Sequence, residues 1–367
     1  MERRFATTSG TTSPARHHAT TPRSGLQFPS VPKVVTEPIY VLLATYNGSA
    51  FIAEQLDSLL AQSEPGWHLL VRDDASTDRT PEIVEAYAAK DARITVLPGS
   101  GANQGTVANF DCLLREARAQ GATYVMLMDQ DDVWFADKIA RQAALMRAEE
   151  DRLGPAVPIL VHSDLELIDR DGHSIHPSFM SFQHIRDEPS APLRTLLVQN
   201  YVTGCTVLVN RPLLDAALPI PPAAMVHDWW LALVAAASGK ISCDPTPTVR
   251  YRQHGGNQIG AKGWRRGVAS VWQGLQLSRT GRGNFARSLA QASALRARLE
   301  RAGVAAHAHR ELLAAYCALF DRPRSRCERI NGLRALGLRR QWAVRQWLLY
   351  LHACLMPAAY ATPAAGQ

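Results

Sequence analysis

Residues 39–45 read Ile-Tyr-Val-Leu-Leu-Ala-Thr, and residues 124–128 read Tyr-Val-Met-Leu-Met before running into Asp129-Gln130-Asp131-Asp132. Both are short apolar runs without polar alternation, as a strand covered on both faces requires. Between them lie two further strand-like runs, His68–Arg72 and Arg93–Leu97. Each run is followed by a helical pattern. Ser49 reads as the cap of a helix carrying Ile52, Leu56, Leu59 and Leu60. Thr80-Pro81-Glu82 starts a second helix, with proline where its missing N–H costs nothing, and Ile83, Val84 and Tyr87 follow on one face. A glycine-rich turn leads to a third, with Phe110, Leu113, Leu114 and Ala117. Strands alternating with helices predict an α/β fold with a doubly wound, mostly parallel sheet. Residues 159–260 are less regular, with strand-like runs at Ile159–His162 and Cys205–Val209 and a helical run after Asp228.

Charge divides the chain of 367 residues into three parts. Residues 1–37 carry net +3, residues 38–260 net −10 and residues 261–367 net +14, which together give +7. The first part is rich in Ser, Thr, Pro and Arg and poor in large apolar groups, so it reads as a disordered basic tail. Arg3 and Arg4 are not followed by an apolar core, which argues against a secretory signal. The acidic middle and the basic end place a domain boundary near residue 260. Residues 261–367 read as a helical extension. Leu289, Ala292, Leu295 and Leu299 form a narrow apolar stripe, and Trp342, Val344, Trp347, Leu348, Leu351 and Leu355 a broader one. Arginine-rich faces beside Trp and Leu suit peripheral contact with an anionic membrane; the run 347–356 is too short to span one. The six cysteines are scattered without a C-x-x-C pair, so a zinc ribbon or thioredoxin-type centre is not indicated. No nucleic-acid-binding module accompanies the basic charge, and the acidic middle would repel phosphate chains.

In such a sheet ligands bind beyond the carboxyl ends of the strands, near the point where strand order reverses. The loops expected there are Tyr46-Asn47-Gly48, the stretch with Asp73, Asp74, Ser76 and Asp78, the stretch Gly99–Gly105 with Asn103, and Asp129–Asp132. Carboxylates converging on one edge repel one another unless something positive binds among them. In extended chain Asp129 and Asp131 point to the same side, and Mg²⁺ or Mn²⁺ takes one or two carboxylates alongside substrate phosphates. A diphosphate–metal clamp follows. Competing motifs fail: the first strand is not followed by G-x-G-x-x-G, Gly239-Lys240 is no P-loop, and neither G-x-S-x-G nor H-E-x-x-H occurs.

These stretches resemble the glycosyltransferase family 2 enzymes of the GT-A fold. The resemblance covers about residues 38–260. It rests on Ala44–Gly48, Asp73–Asp78, Asn103-x-Gly105 with Asn109-Phe110, and Asp129-Gln130-Asp131-Asp132-Val133-Trp134. His162-Ser163-Asp164, Thr203-Gly204-Cys205, His227-Asp228-Trp229 and Tyr251-Arg252-Gln253-His254 continue it. The D-Q-D-D-V-W and Y-R-Q-H-G forms are most similar to a bacterial branch that includes rhamnosyltransferases of surface polysaccharides. The resemblance implies that Thr45, Tyr46 and Asn47 line the nucleotide pocket with Asn103 and Gly105. It implies that Asp74 meets the base with Asp73 beside it. Asp129 would lie near the ribose and metal, Asp131 would ligate the metal, His254 would close over diphosphate or metal, and Arg252 would neutralise the diphosphate. Asp228 would take the catalytic-base role. The family often has Glu before it, where this chain has His227.

The implied reaction is inverting transfer of a sugar, with rhamnose suggested, from a dTDP- or UDP-linked donor to a hydroxyl of a polysaccharide or lipid-linked glycan. A base facing the attacking hydroxyl and a cation at the leaving diphosphate are its requirements. His227, Trp229 and Trp230 are expected on the acceptor side. The expected location is cytoplasmic, with peripheral attachment at the inner face of the cytoplasmic membrane. Two other readings are a catalytically silent nucleotide-sugar-binding scaffold and a nucleotidyltransferase. The latter would usually need a Gly-rich basic phosphate loop after the first strand, and Tyr46-Asn47-Gly48 is not one.

Overall fold

Side-chain alternation along the first strand determines how the chain is layered. In the computed structural model, which describes residues 37–254, 271–302 and 307–357, Ile39, Val41 and Leu43 join one buried cluster and Leu42 joins another. Both faces are apolar, so both must be covered by helices. In chain order the elements are β1 (Ile39–Thr45), α1 (Ile52–Leu60), β2 (Trp67–Asp73), α2 (Thr80–Ala88), β3 (Ile94–Leu97), α3 (Thr106–Ala119) and β4 (Tyr124–Met128). Then come β5 (Val133–Trp134), α4 (Lys138–Leu153), β6 (Ile159–Ile168), β7 (Ser174–His176), α5 (Phe179–Phe182), α6 (Pro192–Leu196), a 3₁₀ turn (Gly204–Thr206) and β8 (Leu208–Asn210). The remainder is α7 (Arg211–Ala217), α8 (His227–Ser238), β9 (Lys240–Arg252), α9 (Val271–Ala302), α10 (His307–Asp321), α11 (Arg326–Ala335) and α12 (Ala343–Leu355). The tail expected over residues 1–37, Glu37 apart, and the boundary expected near residue 260 lie outside the described residues.

The strands form one sheet in the order β3-β2-β1-β4-β8-β6-β9-β5, with β7 paired to β6. β1 runs parallel to β2 and to β4, so strand order reverses at β1, and the loops after β1, β2 and β4 emerge at the same edge. The expected parallel character stops at β4. There β8 joins antiparallel, and the second half of the sheet is mixed, although β6 and β9 pair in parallel over most of their length. The run Cys205–Val209, expected as one strand, divides: Gly204–Thr206 is a 3₁₀ turn and the strand begins at Leu208. Ser49 does not cap α1. Phe51 stands at that position, and the Ser49 N–H donates instead to Asp78 Oδ2 at 3.0 Å.

Helices α1, α2 and α4 cover one face of the sheet through Leu56, Leu59, Val84, Ile139 and Met146. Helices α3, α7 and α8 cover the other, and α9–α12 continue that same cluster through Phe285, Leu289, Leu295, Leu313, Phe320 and Leu349. The expected stripe on α9 is buried as read: Leu289, Ala292, Leu295 and Leu299 are all closed to solvent. The stripe on α12 is not. That helix buries Leu349, His352 and Ala353 and leaves Trp347 62% exposed, because a helix apolar on nearly every side offers no unique face to a pattern search. Several arginines of this region are not solvated charge. Arg298 donates to the carbonyls of Ala216, Leu218 and Pro219, and Arg340 to that of Val198. Arg329 caps the end of α12 through the carbonyls of Ala353, Met356 and Pro357.

Gly239 joins α8 to β9, and a Cβ there would collide with the backbone carbonyl of Pro158, beside which Lys240 N–H pairs with that oxygen at 2.9 Å. Gly239→Ala should lower stability by about 3 kcal/mol, since backbone rather than a flexible tip must move. Gly283→Ala, in open space on α9, should stabilise by roughly 0.5–1 kcal/mol. Urea denaturation midpoints of the two variants check this; equal midpoints would contradict it.

Candidate active site

The edge where β1, β2 and β4 end is shaped by side chains that bond to loops rather than to solvent. Thr45 Oγ1 donates to Asp73 Oδ1 at 2.7 Å, and Ser76 donates to the same carboxylate through Oγ at 2.6 Å and N–H at 2.8 Å. Asp74 accepts the backbone N–H groups of Gln104 and Gly105, which fixes the Asn103–Gly105 loop over the cleft. Gln130 grips the β1 loop at two points: its Oε1 accepts Tyr46 N–H at 2.9 Å and its Nε2 donates to Tyr46 O at 3.0 Å. This requires Gly48, because a Cβ there would occupy the space of the Gln130 amide. Asn47 sits at φ 49°, a conformation asparagine tolerates, and its Oδ1 accepts Thr77 N–H at 2.8 Å.

Behind these loops lies an acidic centre. Half-buried Asp129 is pushed up to about 7, first by burial and then by the charges of Asp131 and Asp228. Asp132 is fully buried and raised well above the carboxylate range by burial and its two neighbours; its Oδ1 accepts Arg252 N–H at 3.1 Å. Ligand atoms of Asp129, Asp132 and Cys205 lie within 4.8 Å of one another. Buried Lys138 is pulled down to about 7 by burial, against the opposing pull of Cys205, Asp132 and Asp244. Asp131 points elsewhere: its Oδ2 meets His254 Nε2 at 2.7 Å. Such a set holds more negative charge than its surroundings neutralise, and its oxygen and imidazole ligands suit a hard divalent cation.

Asp228 stands in the first turn of α8 and is buried. It is not the helix cap; Val226 occupies that position. Burial raises its carboxyl to about 6 despite hydrogen bonds from the backbone of Trp229, Gly204 and its own residue. Asn200 Nδ2 approaches its Oδ1 at 3.4 Å. Gly204 makes room below it: a Cβ there would stand 3.2 Å from His227 Nε2 and 3.3 Å from Asp228 Oδ2. His227 stacks on Phe110 with ring centroids 3.9 Å apart, and burial holds its imidazole down to about 3, hence neutral. Neither of its ring nitrogens has a hydrogen-bond partner among the described residues.

One cleft of about 1120 Å³ brings together Thr45, Tyr46, Asp74, Asn103, Gly105, Asp129, Asp131, His227, Asp228 and Trp229. Asn47 and Asp73 stand behind it as loop fasteners, and His254 reaches it through Asp131. Two expectations change. Trp230 does not wall the cleft: it is fully buried and its indole N–H donates to Ala217 O at 2.9 Å, because successive helix residues point about 100° apart. Arg252 is likewise buried behind the Asp129–Asp132 loop, its guanidinium bonded to Asp131 O, Arg170 O and Glu54. It positions Asp131 rather than facing a diphosphate. Sequence reasoning did not single out Gln183, Gln199, Asn200, Tyr201, Arg287 or Arg345, all of which line the cleft. None belongs to a spaced motif; they arrive through the packing of α5, α9, α12 and the segment before the 3₁₀ turn.

The glycosyl transferase family 2 model matches residues 40–208, which hold Asp74, Asp129 and Asp131 but end before Asp228 and His254. The dTDP-rhamnosyl transferase RfbG of Shigella flexneri is 28% identical over 233 residues, covering 60% of this chain and 74% of that protein. An uncharacterized Mycobacterium tuberculosis protein is 30% identical over 217 residues, and the match covers 58% of either chain, so under two thirds of that relative's length is spanned. The crystal structure of S. aureus TarS residues 1–349 in complex with UDP-GlcNAc superposes with a TM-score of 0.51 at 18% identity, covering 86% of this chain and 88% of that one. That likeness is one of fold. With the sheet order, the acidic edge and the matched segment agreeing, residues 40–208 carry a glycosyl transferase family 2 domain, and the chain is a glycosyltransferase of the GT-A fold, similar to the dTDP-rhamnosyl transferase RfbG, with helices packed after that domain.

Proposed function

We propose that the chain is an inverting, metal-dependent transferase that moves a sugar, with rhamnose favoured by the RfbG likeness, from a dTDP- or UDP-linked donor to a hydroxyl of a surface polysaccharide or lipid-linked glycan. The observation that carries this reading is a buried carboxylate, Asp228, sharing one cleft with Asp129, Asp131 and the loops after β1, β2 and β3 that would cradle a nucleotide. Thr45, Tyr46 and Asp74 line the nucleotide end, with Asn103 and Gly105 across from them. Asp131 and His254, with Asp129 beside them, would hold Mg²⁺ or Mn²⁺, which supplies charge stabilisation to the leaving diphosphate. Asp228 takes the proton of the attacking hydroxyl on the far side of the sugar, and a single base with direct displacement inverts the anomeric carbon. Trp229 donates its indole N–H to Leu196 O at 2.7 Å, which keeps its ring at the acceptor side.

Three outcomes test this reading. Asp131→Ala should abolish the metal-dependent part of nucleoside-diphosphate binding while leaving the melting temperature nearly unchanged. Calorimetry with Mg²⁺ and with chelator checks it, and equal affinities in the wild type would remove the clamp.

Because the base must be ionised and burial holds Asp228 at about 6, transfer should fall tenfold per pH unit below about pH 6 rather than below 4. Asp228→Asn should lower turnover by roughly 10²–10⁴-fold with little change in donor affinity. A radiolabelled-sugar assay across pH 4–8 reads both, and wild-type turnover by the variant would leave the base unassigned.

Among the described residues no helix is long and apolar enough to cross a membrane. Exposed Trp347, with half-buried Leu348 and Leu351 on the same helix and the exposed arginines Arg334 and Arg339 in the preceding segment, supports peripheral attachment to anionic lipid. Sedimentation with phosphatidylserine vesicles should exceed that with neutral vesicles, fall with salt and weaken in Trp347→Ser. Equal binding to both vesicle types would remove the attachment.

A further inference from the structure

The cleft has two walls of opposite charge. Its charged lining residues are Asp74, Asp129, Asp131 and Asp228, all near the sheet edge or the start of α8, and Arg287 and Arg345, both from the helices added after the sheet. The aspartates are explained by the reaction; the arginines are not.

Arg345 is the more telling of the two. Its Nη2 donates to Gln183 Oε1 at 3.1 Å, whereas its Nη1 is closed to solvent and has no hydrogen-bond partner among the described residues. Among the described residues no carboxylate pairs with it; its guanidinium carbon stands 5.9 Å from the Trp342 ring centroid, and burial pulls its pKa downward. A guanidinium held this way is costly unless an anion completes it. Two neighbours in the same lining share the condition. Gln199 Nε2 and Tyr201 Oη are buried without hydrogen-bond partners among the described residues, although Gln199 Oε1 is fixed by Gln341 N–H at 2.9 Å. Arg287 stands exposed at the rim, with one donor on Met225 O at 3.3 Å.

Arg345, Gln199 and Tyr201 therefore offer hydrogen-bond donors, one of them cationic; Asp187 and Glu188 act on Tyr201 from outside the lining, and among the described residues no carboxylate lines the cleft beside these three. A neutral sugar asks for acceptors as well as donors; an oxyanion asks for donors only. The wall is tied to the base. Asn200, between Gln199 and Tyr201, reaches Asp228 at 3.4 Å, so the same three-residue stretch touches the acceptor-activating carboxylate. A group bound here belongs to the molecule whose hydroxyl Asp228 deprotonates.

We propose that the wall formed by Arg345, Arg287, Gln199 and Tyr201 binds a phosphate or carboxylate carried by the acceptor, so that this transferase selects an anionic acceptor glycan. The inference rests on the transferase reading given above. It names the chemistry of the second substrate: the oxyanion accepts from the guanidinium forks while a hydroxyl of the same molecule faces Asp228. A phosphate would come from a sugar phosphate or a lipid-diphosphate linkage, a carboxylate from a uronic acid.

The test uses the full chain saturated with Mn²⁺ and UDP or dTDP, whichever binds, so that the nucleotide end is filled. Glucose 1-phosphate, glucuronic acid and glucose are then titrated by calorimetry. At least one anion should bind about tenfold or more tightly than glucose, and which one does identifies phosphate or carboxylate. Arg345→Gln should remove that preference, Arg345→Lys should restore part of it, and nucleotide affinity should stay within about twofold in each. Should Arg345→Gln fail to melt cooperatively, Arg287→Gln carries the same comparison from an exposed position, with a loss of about threefold expected. The proposal is overturned if both anions bind no better than glucose. It is also overturned if saturating nucleotide displaces them, or if the preference survives in the arginine variants. Failure of the wild type to bind any nucleotide would instead strike the transferase reading, and that is measured before any sugar is added.

Discussion

Mutual repulsion among aspartates at the end of β4 is the constraint around which the rest is arranged. Asp129, Asp131 and Asp132 follow one another at the edge where β1 and β2 also end, and Asp228 adds its charge from α8. Left alone, such a group protonates or pushes apart. Burial raises Asp129 and Asp132 towards their neutral forms, Lys138 Nζ donates to Gln142 Oε1 nearby, and Arg252 anchors the Asp131 backbone from behind. Asp131 is left facing His254 at the cleft side.

The remainder of the edge is kept rigid by hydrogen bonds from loop to loop. Asp73, Asp74 and Asp78 each satisfy backbone N–H groups of neighbouring turns, and hydrogen bonds from Thr80 and Ser49 outweigh burial to draw Asp78 down to about 2. Asp164 does the same for α5, accepting from Ser178 Oγ and Met180 N–H, which sets Phe179 against the cleft. Loops carrying function on a scaffold of parallel strands are expected to need such fastening.

The first half of the fold was legible because its signals are local. Ile39–Thr45 and Tyr124–Met128 were read with the boundaries the structure gives, since an apolar run ending in turn residues has few other interpretations. Asp129, Asp131 and Asp228 were legible through the resemblance, and the cleft assembles them. What escaped was set by tertiary packing. The face of α12 was misread because the helix is apolar almost throughout, and Trp230 was misplaced because adjacent tryptophans leave a helix in different directions. Arg345 and Gln199 carry no spacing signal at all; 146 positions apart in the numbering, they share a wall only once α12 folds back over the segment before the 3₁₀ turn.

The two-point grip of Gln130 on Tyr46 welds the turn that follows β1 to the turn that follows β4. These segments, 84 positions apart, are held together by both hydrogen bonds at once, so an ordering of one favours the ordering of the other. By thermodynamic reciprocity, a nucleotide resting on the first and a cation resting on the second would raise each other's affinity by the same factor. A single neutral amide is thereby the mechanical coupling of the site, and Gly48, by leaving it room, is part of the same joint.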